Sequence, residues 1–288
     1  KGDYVEGSNK PVDPPVNPDK PDNPNKPDNN IQWGNYENSI MQGVRSAMMD
    51  SMMAWRDNAA QSFTRSSALR NGAEEGAWAN VYAGKSKYEG SADFESDYKA
   101  AQFGYDRKLA NGWNVGAAID YRDGDGDYTN GAEGEHKMYS LGVYGTKDLG
   151  EKAYIDLAAK FGTVENDITA RNEIGQEIKG EYSADSYSLS AQYGKRFEKG
   201  NGYFEPQVQL TWAHVGDEEF DASGKIGTLN VKQDAFDSLV GRIGIEAGTE
   251  NDKGNLFARL SLNHEFAGDV DTTYFAKDGG LKTTSYDV

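Results

Sequence analysis

From Gly76 onward, apolar and polar residues alternate with a period of two, and they do so in nine successive segments. The first runs from Ala77 to Tyr88, and the second from about Asp97 to Leu109. In the third, Trp113, Val115, Ala117, Ile119 and Tyr121 alternate with Asn114, Gly116, Ala118, Asp120 and Arg122. The remaining six centre on Leu141, Leu157, Leu189, Leu210, Ile243 and Leu260. Such regularity predicts an antiparallel sheet with one apolar and one polar face.

Ahead of the sheet the period changes. Met41, Val44, Met48, Met52 and Trp55 recur at steps of three and four. The charges Arg45, Asp50, Arg56, Asp57 and Arg65 interrupt that stripe, and Asn58 lies on the same segment. With Asn38 or Ser39 as cap and Asn71-Gly72 as stop, this predicts one amphipathic helix, placed within residues 37–72. Its roughly 30 residues give a rod of about 45 Å. Residues 1–36 hold seven of the eight prolines in a Pro-Asp/Asn-Lys theme, which predicts an extended linker. Residues 73–288 are then the sheet domain.

Alternation alone fits a soluble barrel and a membrane barrel equally, since the two differ only in which face points out. Connection length separates them. LANGW, DLGEKA, EKGNGY and ENDKGN predict tight turns at one rim. The other rim is expected to carry long polar loops, through GDGDYTNGAEGE, roughly 165–181 and roughly 216–233. Aromatics also bracket the aliphatic runs: Trp113 with Tyr121, Tyr187 with Tyr193, and Phe204 with Trp212. These are expected at the lipid interface. The polar face is then a lumen, lined by Asp106, Asp120, Arg122, Asp156, Lys160, Arg196, Glu205, Arg242, Glu246, Arg259 and Glu265. The helix has the length to thread that lumen.

Composition refines the picture. The 288 residues carry a net charge of −17, which argues against nucleic acid as a partner. Mean hydropathy is −0.80, which excludes helical membrane spans but not a barrel, where only alternate residues meet lipid. With no cysteine there are no thiol nucleophiles, disulfides or thiolate metal sites. Asp123-Gly-Asp125-Gly-Asp127 lacks the EF-hand spacing, having Tyr128 and Gly134 at the key positions, and reads as an acidic loop tip. His214, beside Glu218 and Glu219, and His264 read as rim histidines rather than catalytic ones. No catalytic residue, metal ligand or cofactor is expected. An outer-membrane barrel enzyme of protease or lipase type, built on His214, Asp217 and a loop serine, is one alternative. A soluble ligand-binding β-barrel is another.

The blocks GAWANVYAGKSKYEG, DYKAAQFGYDRKLANGWNVGAAIDYRDGD, SYSLSAQYGKRF and LFARLSLNHEFAGDV resemble the β-domains of autotransporters, the translocators of classical type V secretion. The resemblance covers about 76–288. It implies an all-β fold: an antiparallel transmembrane β-barrel of 12 strands in the outer membrane, with an N-terminal helix through the pore. It implies a translocator that anchors and exports an upstream passenger, contacts lipid and the barrel-assembly machinery, and acts as a monomer. Nine strands and the lead-in to a tenth are counted here, so the chain is expected to be C-terminally truncated. Some relatives cut themselves at an Asn-Asn pair in the pore helix. Here the helix has only Asn58 in RDNAA, and self-cleavage is not expected.

Overall fold

The computed structural model describes residues 38–90, 92–251, 254–276 and 280–287. The proline-rich segment lies outside them. Helix α1 runs Ser39–Ala60, and Asn38 caps it by accepting from the Met41 amide at 3.0 Å. A 3-10 turn, Gln61–Phe63, leads into α2, Thr64–Arg70, which ends at Asn71 with Gly72 at φ +91°. The expected single helix is therefore present from Ser39 to Arg70, tightened to a 3-10 turn at Gln61–Phe63. No proline or glycine marks that turn in the sequence.

Strands β1 (Ala77–Tyr88), β2 (Phe94–Lys108), β3 (Trp113–Tyr128), β4 (Ala132–Gly150), β5 (Ala153–Arg171) and β6 (Glu177–Lys195) pair consecutively and antiparallel. A short β7 (Phe197–Lys199) continues β6 past Arg196. Beyond β6 each strand is written in two collinear pieces. They are β8 (Gly202–Val215) with β9 (Glu218–Gly224), β10 (Gly227–Gln233) with β11 (Phe236–Asn251), and β12 (Gly254–Glu265) with β13 (Asp269–Ala276). The sheet order runs on through β9, β10 and β13 at one level, and through β8, β11 and β12 at the other. Pairing bridges the breaks: the Asp234 amide donates to the Asp271 carbonyl at 2.9 Å, and Gly216 to Asp185 at 2.8 Å. Strand β14 (Gly280–Asp287) follows β13. Counted this way the described residues form ten long strands, curled around the helix.

The sheet is inside-out over one half. Val81, Ile119, Leu141, Leu157, Leu189, Leu210, Ile243 and Leu260 are exposed, while Gln102, Asp120, Ser140, Asp156, Ser188, Gln192, Gln209 and Glu246 are buried. Over the other half the polarity reverses. Met138, Val164, Ile168, Ile178, Phe220, Leu229, Val231 and Val270 are buried around α1, and acidic residues face outward.

This inversion corrects the reading of long loops. The stretch from Asp123 to Gly134 lies mostly in β3 and β4, joined by the three-residue turn Thr129–Gly131. Residues 165–181 and 216–233 are likewise mostly strand, turning at 172–176 and at Lys225-Ile226. Asp123, Asp125 and Asp127 are exposed on β3, not on a loop tip. The cause is that alternation persists while its sense flips, and Gly and Asp are weak strand formers that mimic loop composition. On the opposite rim, Glu151 and Lys152 adopt φ +50° and +61° after Gly150, which makes the β4–β5 hairpin tight without an Asn.

Candidate functional site: the lumen and its helix

The interior is built on α1. Its N-terminal end sits at the turn between β3 and β4: Asn130 donates to Gln42 Oε1 at 2.7 Å, and Ser46 to Thr129 Oγ1 at 3.0 Å. Gly43 allows this approach, since a Cβ there would stand 2.6 Å from that of Ala132. Met41, Val44, Met48, Met49 and Met52 are at most 2 % exposed, packed on the apolar interior of the strand extensions. The sixth methionine, Met138, meets them from β4. Unbranched, polarizable side chains suit a contact between a helix and a curved wall. Tyr274 Oη adds a bond to the Met41 carbonyl at 3.2 Å.

Halfway along, polar contacts take over. Asp50 is fully buried, and it meets His136 Nδ1 at 3.3 Å and Tyr128 Oη at 3.2 Å. The glycines of the Asp-Gly-Asp-Gly run make room for this group: a Cβ at Gly124 would lie 2.5 Å from the His136 ring. Ser51 bonds Asn166 and accepts from Tyr182 Oη at 3.1 Å. Trp55 Nε1 donates to the Tyr187 carbonyl at 2.9 Å. Lys160 Nζ reaches the Asn58 carbonyl at 3.0 Å and its Oδ1 at 3.2 Å, and pairs with Asp120 at 3.0 Å. Arg56 meets Glu265 at 3.5 Å.

The C-terminal end is held by charge. Arg65 lies against Asp106 at 2.6 Å, and Asp106 also accepts from Tyr144 Oη at 2.7 Å and the Gly76 amide at 3.1 Å. Arg70 bonds Asp156 at 2.6 Å with its guanidinium 3.5 Å from the Tyr154 ring centre. Arg196 bridges Glu205 at 2.7 Å and Asn71 Oδ1 at 2.6 Å, joining the helix stop to the wall. Further round, Glu246 takes Arg259 at 2.5 Å and Tyr203 Oη at 2.8 Å, and Arg242 donates to Gln192 at 3.1 Å. Arg122 stacks 3.7 Å from the Tyr98 ring centre. Ion pairs, hydrogen bonds and ring stacking of this kind offset the cost of burying these charges.

Asp106 is the hub of that lower ladder. Replacing Asp106→Asn removes its charge and leaves Arg65 facing a weaker acceptor. We expect a loss of about 2–3 kcal/mol, the worth of hydrogen bonds to a charged group. Urea unfolding of the lipid-reconstituted protein measures it, and an unchanged midpoint would refute the hub.

Among the residues singled out in the sequence, Tyr121, Tyr187, Tyr193 and Phe204 stand exposed on the outer face, with Trp113 and Trp212 half-buried there. They form two rows. Tyr121 faces Tyr139 with ring centres 5.2 Å apart, and Phe161 faces Tyr187 at 5.2 Å, while Tyr105, Trp113 and Phe204 stand near the hairpin rim. His214 meets Asp237 at 3.0 Å rather than Glu218 or Glu219, and stacks near Trp212. His264 packs edge-on to Phe266. Sequence reasoning passed over the Asp50–His136 pair, whose members lie on different elements. The one available signal was a histidine whose place in the strand alternation put it inside. Among the described residues no acidic or histidine cluster could hold a metal ion.

A family model, "Autotransporter beta-domain", matches residues 77–288. Among curated proteins, the pertactin autotransporter of Bordetella parapertussis is 29 % identical over 179 residues, covering 60 % of this chain and 19 % of that protein. The probable autotransporter YcgV of Escherichia coli is 28 % identical over 217 residues, covering 70 % of this chain and 22 % of that one. The chain thus spans about a fifth of these relatives' length. Of solved structures, the translocator domain of NalP from Neisseria meningitidis aligns at TM-score 0.65 and 17 % identity, over 85 % of this chain and 93 % of that one. The β-domain of the Bordetella autotransporter BrkA aligns at TM-score 0.56 and 20 % identity, over 73 % and 95 % respectively.

Proposed function

We infer that this chain, which belongs to the autotransporter β-domain family, is the outer-membrane translocator of a longer protein whose passenger leaves through the rim where α1 begins. The observation that carries the reading is the course of the helix. It starts at the Thr129–Gly131 turn, crosses the lumen, and ends among Asp106, Asp156 and Glu205 at the rim of the tight hairpins. The helix therefore begins on the side of the polar strand extensions, which is the cell-surface side for a barrel whose short turns are periplasmic. The helix is a plug and a tether together. The two aromatic rows are interfacial girdles, and the apolar band between them faces lipid. From Trp113 to Tyr121 a strand rises roughly 26 Å along its own axis, which at a tilt of about 40° spans roughly 20 Å of the ~25 Å band. Export of the passenger, assistance by the barrel-assembly machinery and a monomeric state complete the proposal. The protease in the names of some relatives is a property of those proteins, and the match to the Shigella flexneri serine protease SepA covers only 14 % of it.

An epitope inserted between Asn29 and Asn30 tests the direction. Intact cells should bind the antibody, and protease added outside should remove the signal. A signal found only after the outer membrane is permeabilised would overturn the orientation. The lipid face has its own test. Leu141 is 56 % exposed at mid-band, and Leu141→Arg should cost about 2–4 kcal/mol in lipid vesicles. Glu135→Arg, on the same strand above the girdle, should change stability by no more than about 0.5 kcal/mol. Equal effects at the two positions would remove the lipid band from that level.

A further inference from the structure

The outer wall is not uniformly convex. Between the girdles it carries an apolar groove of about 1050 Å³. Val143, Leu157, Leu189 and Leu210 form its sides, and small residues, Gly145 and Ala159, line it between them. This volume is at the upper end of the ~300–1000 Å³ usual for small-molecule sites. Toward the hairpin rim the groove reaches Trp113 and Arg107. Arg107 pairs with Val115, two residues from Trp113, and Lys147 lies directly across from Trp113 with its Nζ 5.8 Å from the ring centre. Two cations thus flank one tryptophan where the groove meets the rim.

Among the described residues neither cation has an acidic partner. Two lysines of the same rim are neutralised: Lys152 is tied to Glu198, and Lys195 to Glu151 at 3.1 Å. In a chain of net charge −17, this places two unneutralised cations at the rim end of an apolar groove.

We propose that this groove binds one anionic phospholipid of the periplasmic leaflet. Its acyl chains lie along Val143, Leu157, Leu189 and Leu210, and its phosphate bridges Arg107 and Lys147. The guanidinium fork suits a phosphate, the ammonium adds a point charge, and the indole sits at the headgroup level where tryptophan is favoured. Each basic group near a membrane surface adds to the attraction for anionic lipid. The choice of leaflet rests on the orientation proposed above, whereas the binding itself can be read without it.

Native mass spectrometry of the intact chain, released from detergent micelles with added dioleoylphosphatidylglycerol or dioleoylphosphatidylcholine, tests the site. Wild type should retain a single phosphatidylglycerol with an affinity about tenfold or more above that for phosphatidylcholine. The double variant Arg107→Gln/Lys147→Gln should bring the two lipids level, while Lys195→Gln should leave the preference intact. Ala191→Phe, which fills the groove and spares both cations, should lower retention of both lipids together. Heat-modifiable gel mobility verifies that each variant is folded. Equal retention of the two lipids by wild type, or a preference that survives the double variant, would overturn the proposal. So would retention unaffected by Ala191→Phe, or displacement of the lipid by inorganic phosphate alone.

Discussion

Deleting Ser39–Arg70 should open the pore, with a several-fold rise in single-channel conductance across a planar bilayer. The helix fills the middle of the lumen: Trp55, Met48, Val44 and Met49 are fully buried, and the cavities beside it include one of about 280 Å³ between Arg56 and Arg242 and one of about 380 Å³ between Arg70 and Arg196. The wall exposed by the deletion differs between its two halves. In the lower half Asp106 and Asp156 lose Arg65 and Arg70 but gain water, so their charges are re-solvated rather than stranded. In the upper half Ile168, Ile178, Phe220 and Val231 become wet, which costs stability. The band that contacts lipid is untouched, so the pore should form and conduct. Conductance equal to that of the intact chain would remove the plug from the function.

Trp55→Ala should be the most costly single change on the helix, at about 3–5 kcal/mol. The indole is 0 % exposed and its Nε1 bonds the Tyr187 carbonyl at 2.9 Å. It sits where the methionine stripe meets the charged ladder, so a cavity there borders both. Removing the ring also leaves that carbonyl short of its side-chain donor. Urea unfolding in lipid vesicles, followed by far-UV circular dichroism, should show an earlier midpoint. Trp55→Phe, which keeps most of the volume and loses only the hydrogen bond, should recover most of the loss. Equal losses for Ala and Phe would mean that the hydrogen bond, not the packing, fixes the helix at this level.

The barrel and its inside-out character were legible because period two survives every substitution that keeps a side chain on its proper face. Ala77–Tyr88 is found in the sequence and in the structure with the same bounds. Strand length was less legible. Asp123, Asp125 and Asp127 alternate as regularly as Ile119 and Tyr121, but with acids in the place of apolar residues. A reader following the apolar face loses the strand there, although the backbone ladder continues to Tyr128 opposite Ala132. The 3-10 turn at Gln61–Phe63 had no local signal. It falls between Asn58, held by Lys160, and Arg65, held by Asp106, so the wall contacts on either side locate it. Pairs such as Asp50 with His136 depend on how deep the helix sits in the pore, which alternation does not encode.

The flip in polarity along each strand gives the two halves different thermodynamics. Above the girdle, burial of Met138, Ile168, Phe220 and Leu229 takes apolar surface out of water, with the large heat capacity that accompanies it. That half weakens on cooling, as a water-soluble core does. Below the girdle the outward leucines exchange one hydrocarbon for another, and stability comes from paired charges and from the backbone ladder between neighbouring strands. Cooling should therefore loosen the end of the molecule where α1 begins while the end that carries the outward leucines stays firm.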